Sequence, residues 1–439
     1  MATLDKPGSP TIRPSRRETM RLGLLFGAIY FIQGFGDPTE GLISQPVRSL
    51  LSSWGKGTGE IAAFSALLAV PWSLKPLFGL LTDFVPLWGR RRQSYLILTS
   101  ALTLVGFLAL GLVPIRRGAN GWLLAWLFVP TMAVACSDVA ADALMVEKGQ
   151  PRGLTGLLQS IQWACMYAAT IVTGVLGGWL SQHGQSRLGF LLCASLALGT
   201  LGLSVFAVRE RRLEGPREGV RGGIRLLGET LRSPAVLGVG GFLFLWNFNP
   251  FSDTVLHLHM TRALGFSEQF YGNTVSLLAV ACIVASLGYG AYCRRVPMRW
   301  LVHASIVLGI ASTLAYWALA GPVSAAVVTV FVGLTYMTAT LIQLDLAAQS
   351  CPPRVAGTAF ALLMALLNLG NLLSTWLGGD WYERLRLLWG SRVAFHILVA
   401  IGAAFTAGCW LLVPLLPLDS GGQSALDKPP TVDLGATGN

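Results

Sequence analysis

The chain has 439 residues, 53% of them hydrophobic and only 12% charged, with a mean hydropathy of +0.59. Soluble domains carry about a quarter charged residues, so this composition excludes a water-solvated globular protein and makes lipid the solvent. The net charge of +11 lies in short clusters between long apolar runs, which argues against a nucleic-acid-binding face and matches the loop-borne charge of membrane proteins.

Residues 1–21 are polar and contain Pro7, Pro10 and Pro14. No apolar stretch there leads to a small-residue cleavage site, so no cleaved signal peptide is expected. Twelve apolar segments follow, each near the roughly 20 residues that cross a hydrocarbon core about 30 Å thick. They are 22–47, 60–84, 94–114, 121–146, 153–181, 188–208, 235–260, 269–293, 299–319, 323–350, 355–379 and 389–416. The first is interrupted by Gly34, Gly36, Asp37, Pro38 and Gly41. The longest polar connection, 209–234, is basic and separates a six-span half (22–208) from a second (235–416). Residues 417–439 read as a disordered tail. The halves echo each other weakly: Asp37-Pro38 in span 1 resembles Asn249-Pro250 in span 7, and each precedes a second acid, Glu40 or Asp253.

An even number of spans puts both termini on one side. Lys and Arg in the N-terminus, the tail and the loops after even-numbered spans outnumber those after odd-numbered spans by more than two to one. That excess places both termini in the cytoplasm, and in a bacterium the membrane is the inner one. The expected fold is an all-α integral membrane protein of about 12 transmembrane helices in two six-helix halves, a layout that resembles the major facilitator transporters.

Ionisable groups inside spans are costly and mark function by default. They are Asp37 and Glu40 in span 1, Lys75 and Asp83 in span 2, Asp138 and Asp142 in span 4, Asp253 in span 7 and Asp345 in span 10. In the major facilitator layout, spans 1, 4, 7 and 10 line the central cavity, and each carries an acid. Asp37 lies about 22 Å along its helix from Arg21, at 1.5 Å per residue, beyond the midplane. Asp138 lies as far into a span of opposite direction. Asp138 and Asp142 are four apart and share a helical face. Of two neighbouring carboxylates in a low dielectric, one binds a proton more readily, as proton coupling requires; the same pair also suits a structural bridge to Lys75. Lys75, between Pro71 and Pro76, suits a substrate carboxylate or a permanent ion pair equally. Asp37, Glu40, Lys75, Asp138, Asp142, Asp253 and Asp345 are therefore the candidate substrate- and proton-binding groups. Phe35, Trp72, Trp163, Trp246 and Phe248 are candidate stacking partners, although aromatic residues also line ordinary helix contacts and interfaces.

The stretch GLLTDFVPLWGRRR (79–92) resembles the signature between spans 2 and 3 of major facilitator transporters. It nominates Gly79, Asp83, Gly89, Arg90, Arg91 and Arg92 as gating residues, with five residues between Asp83 and Gly89 in place of the common two. PWSLKPLFGLLTDFVPLWGRRRQSYLIL (71–98) and ACSDVAADALMVEKGQPRGLTGLLQSIQW (135–163) together resemble the folate–biopterin transporter family. The span 1 sequence QGFGDPTEGLISQPVRSLL is not part of that resemblance. The resemblance implies symport of a folate or pterin with protons, by alternating access.

Seven cysteines form no CxxC pair, and no disulfide framework or zinc site is expected. Neither GxxxxGK[ST] nor HExxH occurs, so no enzyme activity, cofactor or metal is expected. The expected partners are a small-molecule solute, protons and the lipid bilayer, with the protein acting as a monomer. The competing function is that of a non-transporting relative, a sensor or an assembly factor for a membrane complex. A permanently closed cavity or a stable larger complex would distinguish it.

Overall fold

The computed structural model describes residues 14–56, 58–210, 228, 232–251, 255–256, 259–352 and 355–418. These residues form helices and turns, with one isolated bridge between Leu87 and Arg90. Helices account for all twelve expected spans. Ten are long and apolar enough to cross a membrane. The other two are spans 1 and 7, and each departs for a local reason.

Span 1 is helix Arg16–Gly36, whose first turns carry Arg16, Arg17, Glu18 and Arg21. Ser15 caps it, accepting from Glu18 N–H at 3.1 Å, the ordinary remedy for unpaired N-terminal amides. It ends where Pro38 follows Asp37, because proline disfavours the helical conformation in the residue before it. A short turn leads to helix Ser44–Ser53. Span 7 begins with helix Pro234–Asn247, 14 residues, which stops before Asn249-Pro250 for the same reason. The expected continuous segment 235–260 is thus broken; it ends in a π-helical turn, His259–Ala263. The two breaks occupy corresponding places in the two halves.

Span 2 is also two helices, Thr58–Ser73 and Lys75–Phe84. Pro76 lacks an amide proton and its ring crowds the carbonyl four residues back, at Trp72, so the helix restarts at Lys75. Spans 3 to 6 are Gln93–Leu112, Asn120–Gly149, Thr155–Gln182 and Ser186–Phe206. Spans 8 to 10 are Glu268–Tyr292, Met298–Leu314 and Pro322–Ser350. Span 11, Ala356–Trp389, runs ten residues past its expected end at 379. Asp380–Arg384 and Glu383–Arg386 ion pairs support the extension, and Gly390, at φ +81°, stops it. Span 12 is Ser391–Gly408, continued by a 3-10 turn to Leu415.

One end of the bundle gathers the start of span 1 and the ends of spans 2, 4 and 6. Arg152 pairs with Glu18 at 2.8 Å. Glu210, at the start of the linker, accepts from the backbone amides of Arg91, Arg92 and Gln93 at 2.9–3.0 Å. At this linker end the two halves close on each other along two seams. In one, a Cβ added to Gly79 of span 2 would lie 2.8 Å from Thr358 Cα of span 11. In the other, Ser160 of span 5 donates to Ser286 O of span 8 at 2.5 Å, beside Gly156 and Gly290. Small residues allow this close approach. The remainder of the linker, 211–227 and 229–231, and the tail from 419 lie outside the described residues.

Candidate functional site

The restart of span 2 projects Lys75 into the first half, where its Nζ lies 2.6 Å from Asp138 Oδ2 of span 4. The ammonium also sits 4.6 Å from the centre of the Trp72 ring, one turn back, in a cation–π contact. Gln33 of span 1 donates from Nε2 to the other Asp138 oxygen at 2.5 Å. One turn along span 4, Asp142 Oδ1 accepts from Tyr30 OH at 2.5 Å and from Gln162 Nε2 at 3.3 Å. Spans 1, 2, 4 and 5 thus converge on two buried carboxylates and one ammonium. Asp142 is held by neutral donors. A buried ion pair is tolerated only when its remaining lone pairs are satisfied, which is the part Gln33 plays.

Two buried polar atoms beside this cluster have no protein partner: Trp72 Nε1, on the ring against Lys75, and Gln162 Oε1, on the amide that bonds Asp142. They are free to meet a polar ligand, since a buried donor or acceptor left unmade costs about 1–3 kcal/mol. Among the described residues, the corresponding place in the second half is neutral. Asn247 of span 7 donates to Gln343 Oε1 of span 10 at 3.2 Å.

The other candidate acids lie elsewhere. Asp37 caps the break in span 1, accepting from Thr39 N–H at 2.9 Å and from its hydroxyl at 2.8 Å. Glu40 is exposed on the following turn, not within a membrane-spanning helix. Asp253 lies outside the described residues. Asp345 is buried at the linker end, where it joins the halves. Its carboxylate accepts from Thr155 Oγ1 of span 5 at 2.5 Å, Tyr289 OH of span 8 at 2.9 Å and Gln349 Nε2 at 3.0 Å.

The 79–92 signature assembles around Arg92, which is fully buried. Its guanidinium bonds Asp83 and pairs with Glu147 of span 4 at 2.8 Å and Thr82 Oγ1 at 2.8 Å. The second Asp83 oxygen crosses to span 11, accepting from Thr358 N–H at 2.7 Å and its hydroxyl at 2.6 Å. Asp83 therefore caps the start of span 11, where unpaired amides favour an anion. Gly89, at φ +76°, completes the turn after Trp88. Arg90 and Arg91 are half-buried and make no ion pair with Asp83.

Of the candidate aromatics, Trp72 alone touches the charged cluster. Phe35 packs into the core of the first half with Leu42 and Ile43. Trp246 stacks near Tyr336 at 5.7 Å inside the second half, Phe248 meets Phe405 edge-on at 4.8 Å, and Trp163 lies 5.9 Å from Tyr167. Intramembrane charge does not single out Tyr30, Gln33 and Gln162, which are neutral, or Glu147, Thr155, Glu210, Tyr289 and Thr358, whose contacts are remote in sequence. Glu147, Thr155 and Gln162 had a signal, since all three lie in the second motif, 135–163.

Residues 48–417 match the BT1 family. The folate-biopterin transporter of Synechocystis sp. is 30% identical over 382 residues, covering 80% of this chain and 74% of that protein. Folate transporter 2 of Plasmodium falciparum is 23% identical over 372 residues, covering 78% and 77%. Among solved structures, the major facilitator proton:xylose symporter XylE superposes with a TM-score of 0.62 at 14% identity, covering 90% of this chain and 96% of that one. FucP, in its outward conformation, gives 0.62 at 11%, covering 88% and 98%. At these identities the structures speak for the fold. Its sequence match and its two-halved helical architecture make this chain a member of the BT1 family with the major facilitator fold.

Proposed function

We propose that this protein is a secondary transporter that moves a folate- or pterin-like solute across the membrane with protons, by alternating access. The observation that carries this reading is the Lys75–Asp138 pair, buried at a helix break with a second carboxyl group, held only by neutral donors, one turn away. A fixed structural pair needs no second acid and no orphaned indole and amide groups beside it. A pterin ring presents an amine edge to carboxylates, an amide edge to Gln162, and a flat face to Trp72; a folate adds carboxylates that Lys75 can hold. Protonation of Asp138 frees Lys75, which couples proton and solute occupancy at one place. The curated relatives' names support the solute class.

The closed seams at the linker end support an outward-facing state, if that end is cytoplasmic as its basic loops argue. Alternating access then requires Asp83–Thr358 and Asp345–Thr155 to part. In proteoliposomes, wild-type protein should accumulate labelled folate or biopterin under an inward proton gradient, and Asp138→Asn should not. Failure of the folded wild type to move either compound would overturn the solute assignment.

A further inference from the structure

No Asp or Glu occurs between Glu268 and Asp345, a stretch whose only Lys or Arg residues are Arg294, Arg295 and Arg299. The three arginines lie between spans 8 and 9 and in the first turn of span 9. All three are exposed, and none makes an ion pair among the described residues. Other cations at the linker end are neutralised, Arg152 by Glu18 and Arg92 by Asp83 and Glu147. Asp345 offers the arginines nothing, since it is buried in the seam on Thr155, Tyr289 and Gln349. The arginines belong to that same end of the bundle: a Cβ added to Gly156 would lie 3.2 Å from Cβ of Cys293, the neighbour of Arg294. Their surroundings face outward. Span 9 packs chiefly on spans 10 and 12, which leaves Trp300, 59% exposed, and Val307, seven residues on, along its free face. On span 8 the exposed Val280, Val284 and Leu287 share a face. Trp300 thus ends a lipid-facing surface, at the level where indoles sit among headgroups. The Arg299 guanidinium lies 5.6 Å from the centre of its ring. One turn along, the exposed His303 accepts at 3.2 Å from Nε1 of Trp410, a second half-exposed indole, in the turn that ends span 12. No side chain caps span 9, so its first amides also favour an anion here.

We propose that Arg294, Arg295, Arg299 and Trp300 form a binding site for the headgroup of an anionic phospholipid at the linker end of the second half. The guanidiniums supply the charge and the N–H donors that a phosphodiester accepts. Trp300 and Trp410 lie at the boundary between headgroup and hydrocarbon, and the exposed aliphatic faces of spans 8 and 9 receive the acyl chains. A soluble anion meets the arginines but leaves the indoles and these faces uncovered, so the occupant is the lipid. A zwitterionic lipid carries its own cation beside the phosphate and gains less from three unpaired arginines. The site depends neither on the solute nor on proton coupling.

In the test, full-length protein in a neutral detergent is offered equal amounts of phosphatidylglycerol and phosphatidylcholine with the same acyl chains. Retained lipid is read by native mass spectrometry. The wild type should retain phosphatidylglycerol in preference. Arg294→Gln, Arg295→Gln and Arg299→Gln should each cut that preference, by roughly fivefold per cation near an anionic headgroup, and the triple variant should abolish it. The triple Arg→Lys variant, which keeps the charge, should retain most of the preference and controls for folding. Arg16→Gln with Arg17→Gln, exposed at the same end on span 1, should leave it within about twofold. Equal retention of the two lipids by the wild type would overturn the site, and so would an undiminished preference in the triple Gln variant. An equal fall in the Arg16/Arg17 variant would overturn it in favour of overall charge. Displacement of the lipid by excess inorganic phosphate would overturn the choice of lipid over a soluble anion.

Discussion

Lys75 owes its place to Pro76, which breaks span 2 one residue after Ser73 and turns the ammonium toward span 4. Removing one member of a buried ion pair leaves the other uncompensated, at about 3–5 kcal/mol. Lys75→Met and Asp138→Asn should each lower the thermal midpoint in detergent, and the double variant should recover most of the loss in Lys75→Met. Additive losses would mean the two side chains do not pair. Arg92 is more demanding, since it neutralises both Asp83 and Glu147. Arg92→Ala should destabilise by at least as much, about 3–5 kcal/mol. Arg92→Lys should rescue little, because one ammonium cannot reproduce bonds to Asp83, Glu147 and Thr82 together. Full stability in Arg92→Lys would contradict that geometry. At this scale the sequence made charge legible and neutral polarity illegible. Lys75, Asp138 and Asp142 stand out from an apolar run, whereas Tyr30, Gln33 and Gln162 look like any tolerated polar side chain until the fold sets them against a carboxylate.

Between elements, the two seams at the linker end use one device twice. A glycine-lined crossing brings a helix from each half together, and a buried carboxylate meets a threonine at the start of the facing helix. Asp83 meets Thr358 of span 11; Asp345 meets Thr155 of span 5. Among the described residues, only the first carboxylate has a cation partner. Gly79→Val places a side chain against the backbone of span 11, 2.8 Å from Thr358 Cα, with no flexible neighbour to yield. It should part spans 2 and 11 and raise the reactivity of a cysteine placed at Thr358 toward a water-soluble maleimide. Unaltered labelling would show that the crossing is not tight. Neither seam could be read from the chain, because each joins residues about 190 to 275 positions apart. Asp345 therefore reads in sequence as a cavity acid and in the structure as a clasp. The helix breaks, by contrast, were partly visible: Asp37-Pro38 and Asn249-Pro250 announce local stops, although the hydropathy of 235–260 hides the second.

For the whole molecule, twelve spans in two halves follow from the length and spacing of apolar runs, and the helices occupy those runs almost throughout. What hydropathy does not carry is the state of the gate. With both seams closed at the linker end, Asp83→Ala together with Asp345→Ala should shift the population toward opening there. Spin labels at Pro151 and Arg294, exposed on opposite halves of that end, should then report a longer mean distance than in the parent protein. An unchanged distance would mean that other contacts hold the halves.

The central claim is that solute and proton share the Lys75–Asp138 site, and the movement of protons tests it most directly. Protein in liposomes with an external pH dye, at equal pH inside and out and with no membrane potential, is given an inward gradient of folate or biopterin. Alkalinisation outside that accompanies solute entry in the wild type, and is lost in Asp138→Asn while solute exchange persists, is the predicted result. Solute entry with no proton movement in the wild type, or proton movement undiminished in Asp138→Asn, would contradict the account.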